Sequence, residues 1–208
     1  MIMITKSQLK KVEEFAEKEY SDLNWMHVCG IRKIAKIISE KENADSSIVD
    51  LAVLFHDIAK KDFKREIYHH IEGSKVAEKF LSEIGVGNAT IGKVCHCVIS
   101  HSTPLEYFKE KARKLNLPKS FLPEPKTIEA KVLFDSDMLQ QLSPYGITKS
   151  LYMNYTTYNF GFVEGFKKTG NTLVNDACKA LFTKTAREMA KERIAFLKKF
   201  FGWLERCD

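Results

Sequence analysis

The residues of this sequence that could do chemistry begin with a histidine next to an aspartate. The stretch LAVLFHDIAK places His56 and Asp57 at the end of an otherwise apolar run. Burying an imidazole and a carboxylate is costly unless something compensates them, and a divalent cation prefers these two groups together. The alternative is a structural pair, in which the histidine bonds a backbone carbonyl and the aspartate caps the next segment. The dipeptide alone does not decide between them.

Two further sets of residues favour the metal site. His27 lies on the inward face of a predicted helix well before His56. Asp135 and Asp137 stand in EAKVLFDSDML, directly after an apolar run. On a helix these two aspartates point about 200° apart, so one of them at most can face the ion. Helical periodicity leaves open which one does.

These segments together resemble the HD-domain superfamily of metal-dependent phosphohydrolases, whose pattern is H…HD…D. WMHVCGIRKIA resembles its first histidine helix, LAVLFHDIAK its HD helix, EAKVLFDSDML its last aspartate helix, and TKTAREMAKERIAFLKKFF the C-terminal helix of a bacterial and archaeal subgroup. The resemblance implies a divalent metal ion held by His27, His56, Asp57 and Asp137. The family places its last ligand before a bulky pair, here Met138–Leu139, which favours Asp137 over Asp135. Many relatives carry an arginine where this sequence has Gly30, and Arg32 is the nearest arginine.

The same resemblance assigns roles to other histidines. In relatives that bind two metals, histidines at similar places contact the second ion or the phosphate, which makes His69 and His101 candidate substrate-binding residues. His69 stands four residues before Gly73, the spacing usual in the family. The alternative is that these histidines lie in exposed loops. For His69 and His101 that alternative is as well supported as a role in the site, and for His70 and His96 it is better supported.

The implied chemistry is hydrolysis of a phosphate ester or phosphoanhydride, with a nucleotide or another small phosphorylated metabolite as substrate. A divalent ion (Mn, Fe, Co, Ni, Zn or Mg, among which the ligands do not choose) activates water and polarises a phosphoryl oxygen. Asp57 can orient the water, and Lys60 is the nearest cation for the charge that develops on the phosphoryl group. Lys61 and Arg65 are weaker candidates, more typical of surface charge. No GxxxxGK[ST] loop occurs, which argues against a P-loop enzyme.

Two other functions stay open. An HD fold that keeps every metal ligand could serve as a non-catalytic nucleotide sensor, and a turnover assay would separate that from an enzyme. A helical nucleic-acid binder would fit the net charge of +6. However, the lysines are scattered among glutamates, as in KKVEEFAEKEY, which is typical of a solvated surface and argues against a nucleic-acid partner. The oligomeric state is not indicated.

Helical periodicity predicts an all-α protein: one compact multi-helix HD-type bundle over residues 1–208, ending in a long C-terminal helix. The predicted helices are Ser7–Tyr20, Asn24–Ser39, Ser46–Lys60, Glu72–Ile84, Asn88–Ser100, Thr127–Leu142, Ile147–Tyr155 and Thr183–Leu204. Four prolines bound an excursion over residues 102–125 that contains one short helix. We expect this excursion to act as a lid over the metal cleft.

Composition predicts a cytoplasmic location. Five cysteines form an odd number without the spacing of a disulfide framework, so reduced thiols are the simplest account. Cys95–His96–Cys97 is too tightly spaced for a zinc knuckle. The N-terminal stretch MIMITKSQLKKVEE turns charged after five residues, and the longest apolar run, Leu51 to Phe55, is too short to span a bilayer. We therefore expect no membrane partner.

Overall fold

The computed structural model describes residues 4–60, 63–102, 106–171, 173 and 181–204. Within these residues the regular structure is helical and includes no strand, so the all-α prediction is confirmed. The α-helices are α1 (Lys6–Glu19), α2 (Asp22–Glu42), α3 (Ser46–Phe55), α4 (His69–Glu83), α5 (Asn88–Ser100), α6 (Glu106–Lys114), α7 (Ile128–Gln141), α8 (Pro144–Thr156), α9 (Phe162–Asn171) and α10 (Lys184–Leu204). Two 3₁₀ helices span Phe63–Tyr68 and Lys119–Phe121. None of the helices in these ranges combines the length and the apolar character that a membrane span needs.

The chain divides into two compact units, residues 1–134 and 135–208. The first unit contains α1 to α6, and the second contains α8 to α10. Helix α7 begins in the first unit and ends in the second. The single domain over residues 1–208 stays a prediction.

Helix α3 is the centre of the first unit. It packs against α1, α2, α4 and α5, and its last five residues, Leu51 to Phe55, are all buried. The Asp45 carboxylate caps the start of α3 by accepting hydrogen bonds from the backbone N–H groups of Ser47 and Ile48. Because α3 ends at Phe55, earlier than predicted, His56 and Asp57 lie in the turn that follows it.

Several helix boundaries differ from prediction for local reasons. Helix α2 extends to Glu42, where Asn43 adopts the left-handed conformation (φ 55°) that often ends a helix. Helix α8 begins at Pro144, a residue well suited to the first helical turn because it lacks an N–H group. Helix α9 was not predicted, since Gly165 and Gly170 weaken helix propensity. Both glycines instead allow close packing, against Tyr155 and Phe201 respectively.

The predicted excursion over residues 102–125 contains α6 and the second 3₁₀ helix. Phe108 and Ala112 of α6 are buried with Ile67, and Leu117, Phe121 and Leu122 pack against that cluster. Residues 103–105 lie outside the described part. In this structure α6 and the residues after it thus pack with Ile67 of the first 3₁₀ helix, and the role of the excursion as a lid stays a prediction.

Candidate metal centre

The turn after α3 meets the middle of α2 in a first group of ligand atoms. His27, His56 and Asp57 each offer one such atom, and these atoms lie within 4.8 Å of one another. His56 Nδ1 lies 2.7 Å from the carbonyl oxygen of Val53. A carbonyl only accepts, so Nδ1 carries the hydrogen and a neutral imidazole then keeps a lone pair on Nε2. This is the tautomer that binds metal through Nε2.

Asp57 also belongs to a second group, with His69 and His101. Its Oδ1 lies 3.4 Å from His69 Nε2 and 3.6 Å from His101 Nε2. Both rings repeat the arrangement at His56: Nδ1 of His69 bonds the Glu66 carbonyl, and Nδ1 of His101 bonds the Val98 carbonyl at 2.6 Å. Carbonyl acceptors of this kind orient the histidines of metal sites.

The second group offers a test of whether a cation fits. His69 Nε2 and His101 Nε2 lie 3.0 Å apart, and the Ser102 hydroxyl oxygen lies 3.1 and 3.2 Å from them. The hydroxyl has one hydrogen to donate, whereas two lone pairs face it. Burial, followed by the neighbouring His101, lowers the pKa of His69 to about 2, so an extra proton does not resolve the contact. A bound cation would.

Asp57 is ionised in this environment. Burial raises the pKa of its carboxyl group, but the nearby groups, with the ammonium group of Lys60 foremost, outweigh that effect and hold the pKa well below its usual value. Lys60 Nζ lies 3.3 Å from Asp57 Oδ2, and His56 Nε2 lies 3.8 Å from the same oxygen. One carboxylate oxygen therefore faces the first group and the other faces the second.

The exposed-loop interpretation is wrong for three histidines. His69, His70 and His101 are each no more than 3% exposed. His69 and His70 begin α4, and His101 follows the end of α5. His70 Nε2 bonds the carbonyl oxygen of Phe121 at 2.9 Å, which makes it a structural residue. His96 is half-buried, and its Nε2 accepts a hydrogen bond from the backbone N–H of Lys126.

The two aspartates of α7 have different partners. Asp135 is fully buried, and its carboxylate accepts hydrogen bonds from the N–H groups of Phe182 and Thr183 and from the Thr183 hydroxyl, at 2.6–2.9 Å. Both oxygens of Asp135 are thereby used within the second unit. Asp137 accepts a hydrogen bond from Gln141 Nε2 at 3.4 Å. Its assignment as a fourth ligand stays a prediction.

Gly73 sets how closely α4 approaches the HD turn. A Cβ atom on Gly73 would lie 3.1 Å from the carbonyl oxygen of Phe55 and 3.5 Å from that of His56. Helix α4 can therefore pass directly against the end of α3. One turn earlier on α4, His69 then reaches Asp57.

Arg32 is engaged away from the two groups. Its guanidinium group donates to both oxygens of Asp50 and to Glu13 Oε1, at 2.7–3.0 Å. These hydrogen bonds raise the pKa of Arg32, and the bond to Asp50 has the largest effect. Arg32 is therefore a structural ion-pair residue that joins α1, α2 and α3. Of the weaker cation candidates, Lys61 and the side chain of Arg65 lie outside the described residues.

Sequence reasoning missed several residues around the groups. Ser102 touches both histidines of the second group, while Glu66 lies 3.9 Å from Lys60 and 3.6 Å from Lys111. The Tyr20 hydroxyl donates to the carbonyl oxygen of Leu54, just before the HD turn. No motif or periodicity singles these residues out, because only folding brings them to the site.

The cysteines are consistent with a reduced protein. Cys29, Cys95 and Cys97 are free thiols, and Cys178 and Cys207 lie outside the described residues. Burial raises the pKa of Cys97 to about 12, so its thiol stays protonated. That Cys95–His96–Cys97 is not a zinc site stays a prediction.

Comparison with known proteins gives a consistent result. A sequence model described as the HD domain matches residues 24–142. The uncharacterized protein YpgQ of Bacillus subtilis (strain 168) is 28% identical over 94% of this chain and 89% of its own. The crystal structure of YpgQ in complex with ADP has a TM-score of 0.66 and 23% identity, and covers 97% of this chain and 95% of the other.

A crystal structure of an HD-superfamily hydrolase from Bacillus thuringiensis is similar as well. Its TM-score is 0.68 and its sequence identity is 20%, with 97% of this chain and 96% of the other covered. At this level of identity the likeness establishes the fold alone. The chain thus has the fold of HD-superfamily hydrolases.

Proposed function

The chain belongs to the HD domain family, and from that premise we propose that it is a metal-dependent phosphohydrolase. The reaction would be hydrolysis of a phosphate ester or phosphoanhydride. The substrate would be a nucleotide or another small phosphorylated metabolite.

One observation carries the proposal. His56, His69 and His101 each bond a carbonyl oxygen three residues earlier through Nδ1, so that Nε2 is left as an acceptor. The ionised carboxylate of Asp57 lies between these acceptors. Oriented imidazole lone pairs around an ionised carboxylate are the ligand chemistry of a divalent transition-metal cation.

The ligand groups divide into a first cation site and a second. His27, His56 and Asp57 would hold one ion, with Asp137 as the proposed fourth ligand, while Asp57, His69 and His101 would hold another. When bound, such a cation lowers the pKa of a water molecule and polarises a phosphoryl oxygen.

The chain's own residues would bind and orient the substrate. Lys60 lies 3.3 Å from Asp57, where its ammonium group can neutralise a phosphoryl group that enters the site. Asp57 can accept a hydrogen bond from the attacking water. Ser102 can donate to an oxygen of the substrate once the histidines beside it are bound to a cation.

A nucleotide is the favoured substrate class. YpgQ, which resembles this chain along almost its whole length, has been crystallised in complex with ADP. The phosphoryl groups of a nucleotide could bind at the His–Asp groups and beside Lys60. This support comes from a relative, so the assay must include phosphorylated metabolites that are not nucleotides.

The test combines metal analysis with a phosphate-release screen. The purified protein is first analysed for bound metal and then assayed with that metal across nucleoside mono-, di- and triphosphates and simple phosphate esters. We expect stoichiometric metal and turnover of at least one nucleotide. His56→Ala should lose one ion and nearly all turnover, whereas His96→Gln, a histidine change outside either group, should keep full metal stoichiometry and turnover.

A metal-loaded wild-type protein that binds nucleotides without turnover would contradict the proposal and favour a sensor. Full metal occupancy in His56→Ala would contradict the ligand assignment. The cytoplasmic location and the lack of membrane or nucleic-acid partners stay predictions from the sequence.

A further inference from the structure

A chain of ion pairs leads from Asp57 away from the two His–Asp groups. Lys60 Nζ lies 3.3 Å from Asp57 Oδ2 and 3.9 Å from Glu66 Oε1. The other oxygen of Glu66 lies 3.6 Å from Lys111 Nζ on α6. Two ammonium groups thus flank one carboxylate beside the candidate site. The trio formed by Lys60, Glu66 and Lys111 carries a net charge of +1, which the Asp57 carboxylate balances until it binds a cation.

Packing holds Lys111 in this place. Phe108, one turn earlier on α6, lies against the ring of His69 with a centroid distance of 5.5 Å. Phe108 and Ala112 are both buried in the cluster that contains Ile67. Residues three and four apart share a face of a helix, so Lys111 lies on the face that α6 presents to the first 3₁₀ helix and the second ligand group.

The two ammonium groups are more accessible than the carboxylate between them. The side chains of Lys60 and Lys111 are 32% and 27% exposed, whereas that of Glu66 is 11% exposed. An anion arriving from solvent would therefore meet the cations first. Partial burial strengthens its attraction to them, because the effective dielectric constant is lower than in water.

We propose that Lys111 binds a phosphoryl group of the substrate that adjoins the reacting one. Lys60, next to Asp57, would meet the reacting phosphoryl group, and Lys111, on the far side of Glu66, the adjoining group. Glu66 orients both ammonium groups. This inference rests on the proposed function and narrows the substrate class to compounds with at least two linked phosphoryl groups. Lys111 is then a specificity-determining residue supplied by the excursion over residues 102–125.

The test measures binding of two compounds that cannot be hydrolysed at a phosphorus–carbon bond. Methylphosphonate carries one phosphonate group, and methylenediphosphonate carries two linked groups. Calorimetric titration of the metal-loaded full-length protein should show tighter binding of the diphosphonate. Lys111→Ala should weaken diphosphonate binding about tenfold, since it removes a charge-assisted contact, and change monophosphonate binding by less than about twofold.

Two further variants separate recognition from structure. Lys111→Arg keeps the positive charge and should retain most of the diphosphonate preference. Lys114→Ala removes an exposed lysine from the end of the same helix and should leave both affinities unchanged. Melting temperatures should stay close to that of the wild type, because a partly exposed ion pair contributes little to stability.

Equal weakening of both compounds by Lys111→Ala, or no weakening of either, would overturn the inference. So would a wild-type protein without a preference for the diphosphonate, or equal losses in Lys111→Ala and Lys111→Arg. Failure of the proposed function has a different signature, namely a metal-loaded wild type that releases phosphate from no compound. Because these titrations need no turnover, the two failures are distinguishable.

Discussion

The two ligand groups differ in how many of their histidines stand at helix ends. In the second group, His69 stands at the start of α4 and His101 directly after α5. The carbonyl that each ring bonds lies three residues earlier, in the last turn of α5 for His101 and in the first 3₁₀ helix for His69. His56, after α3, uses the same device, whereas His27 lies inside α2. A helix end therefore positions an imidazole with a local contact, but a histidine within a helix depends on tertiary packing.

Asp57→Asn should have the largest effect, because Asp57 is common to both groups. An amide is a much poorer ligand than a carboxylate, so we expect loss of both ions and a fall in activity of about a thousandfold or more. Metal analysis and initial rates on the same preparation check this. Asp50→Asn, which removes a carboxylate paired with Arg32, is the matched control and should keep its metal. Retention of either ion in Asp57→Asn would show that the groups do not share this ligand.

His56→Ala and His101→Ala should separate the groups. Each should lose one ion, with activity falling about a thousandfold for His56→Ala and about a hundredfold for His101→Ala. Metal stoichiometry is the decisive measurement. If His101→Ala kept full stoichiometry, the second group would be a substrate contact, the role that the resemblance also allowed.

Asp137→Asn should affect metal binding, whereas Asp135→Asn should affect stability. We expect Asp137→Asn to lower metal affinity and activity about a hundredfold through loss of the proposed fourth ligand. Asp135→Asn should keep the metal but lower the free energy of unfolding by about 1–3 kcal/mol, since an amide replaces a carboxylate that accepts three hydrogen bonds. Denaturant unfolding and metal titration of both variants test the assignment. The reverse pattern would move the ligand to Asp135.

Ser102→Ala should have the smallest effect and should act on the second group alone. The hydroxyl contacts both Nε2 atoms of that group, and losing such a supporting contact lowers metal affinity about tenfold. Titration with the native metal should show one weakened site and one unchanged site. A change at the first cation site as well would mean that Ser102 supports both groups.

The sequence predicts a residue well when its neighbours along the chain reveal its environment. His56 and Asp57 follow a buried apolar helix, so their placement could be predicted from local pattern. His70 could not, since burial of its ring depends on Phe121, far away in the chain. The excursion over residues 102–125 contains a helix, as expected, but its packing on Ile67 depends on tertiary contacts.

Helix ends were the least predictable feature, and here they matter most. Apolar periodicity continues past Phe55, so it predicts a helix up to Lys60. In the structure the helix instead ends at Phe55 and the chain turns. There the His56 ring hydrogen-bonds the carbonyl oxygen of Val53, in the last turn of α3. The turn redirects the chain so that Asp57 faces two sets of histidines.

The geometry of the site depends on the lack of a Cβ atom at Gly73. Alanine at this position would raise helix propensity by about 1 kcal/mol, but its methyl group would act as a wedge 3.1 Å from the Phe55 carbonyl oxygen. Helix propensity and site geometry therefore respond to Gly73→Ala in opposite directions. To relieve this contact, α4 or the end of α3 would have to shift by a few tenths of an ångström, and a shift of α4 would carry His69 away from Asp57. The distance between α3 and α4 therefore affects the site, and changes of a few tenths of an ångström matter.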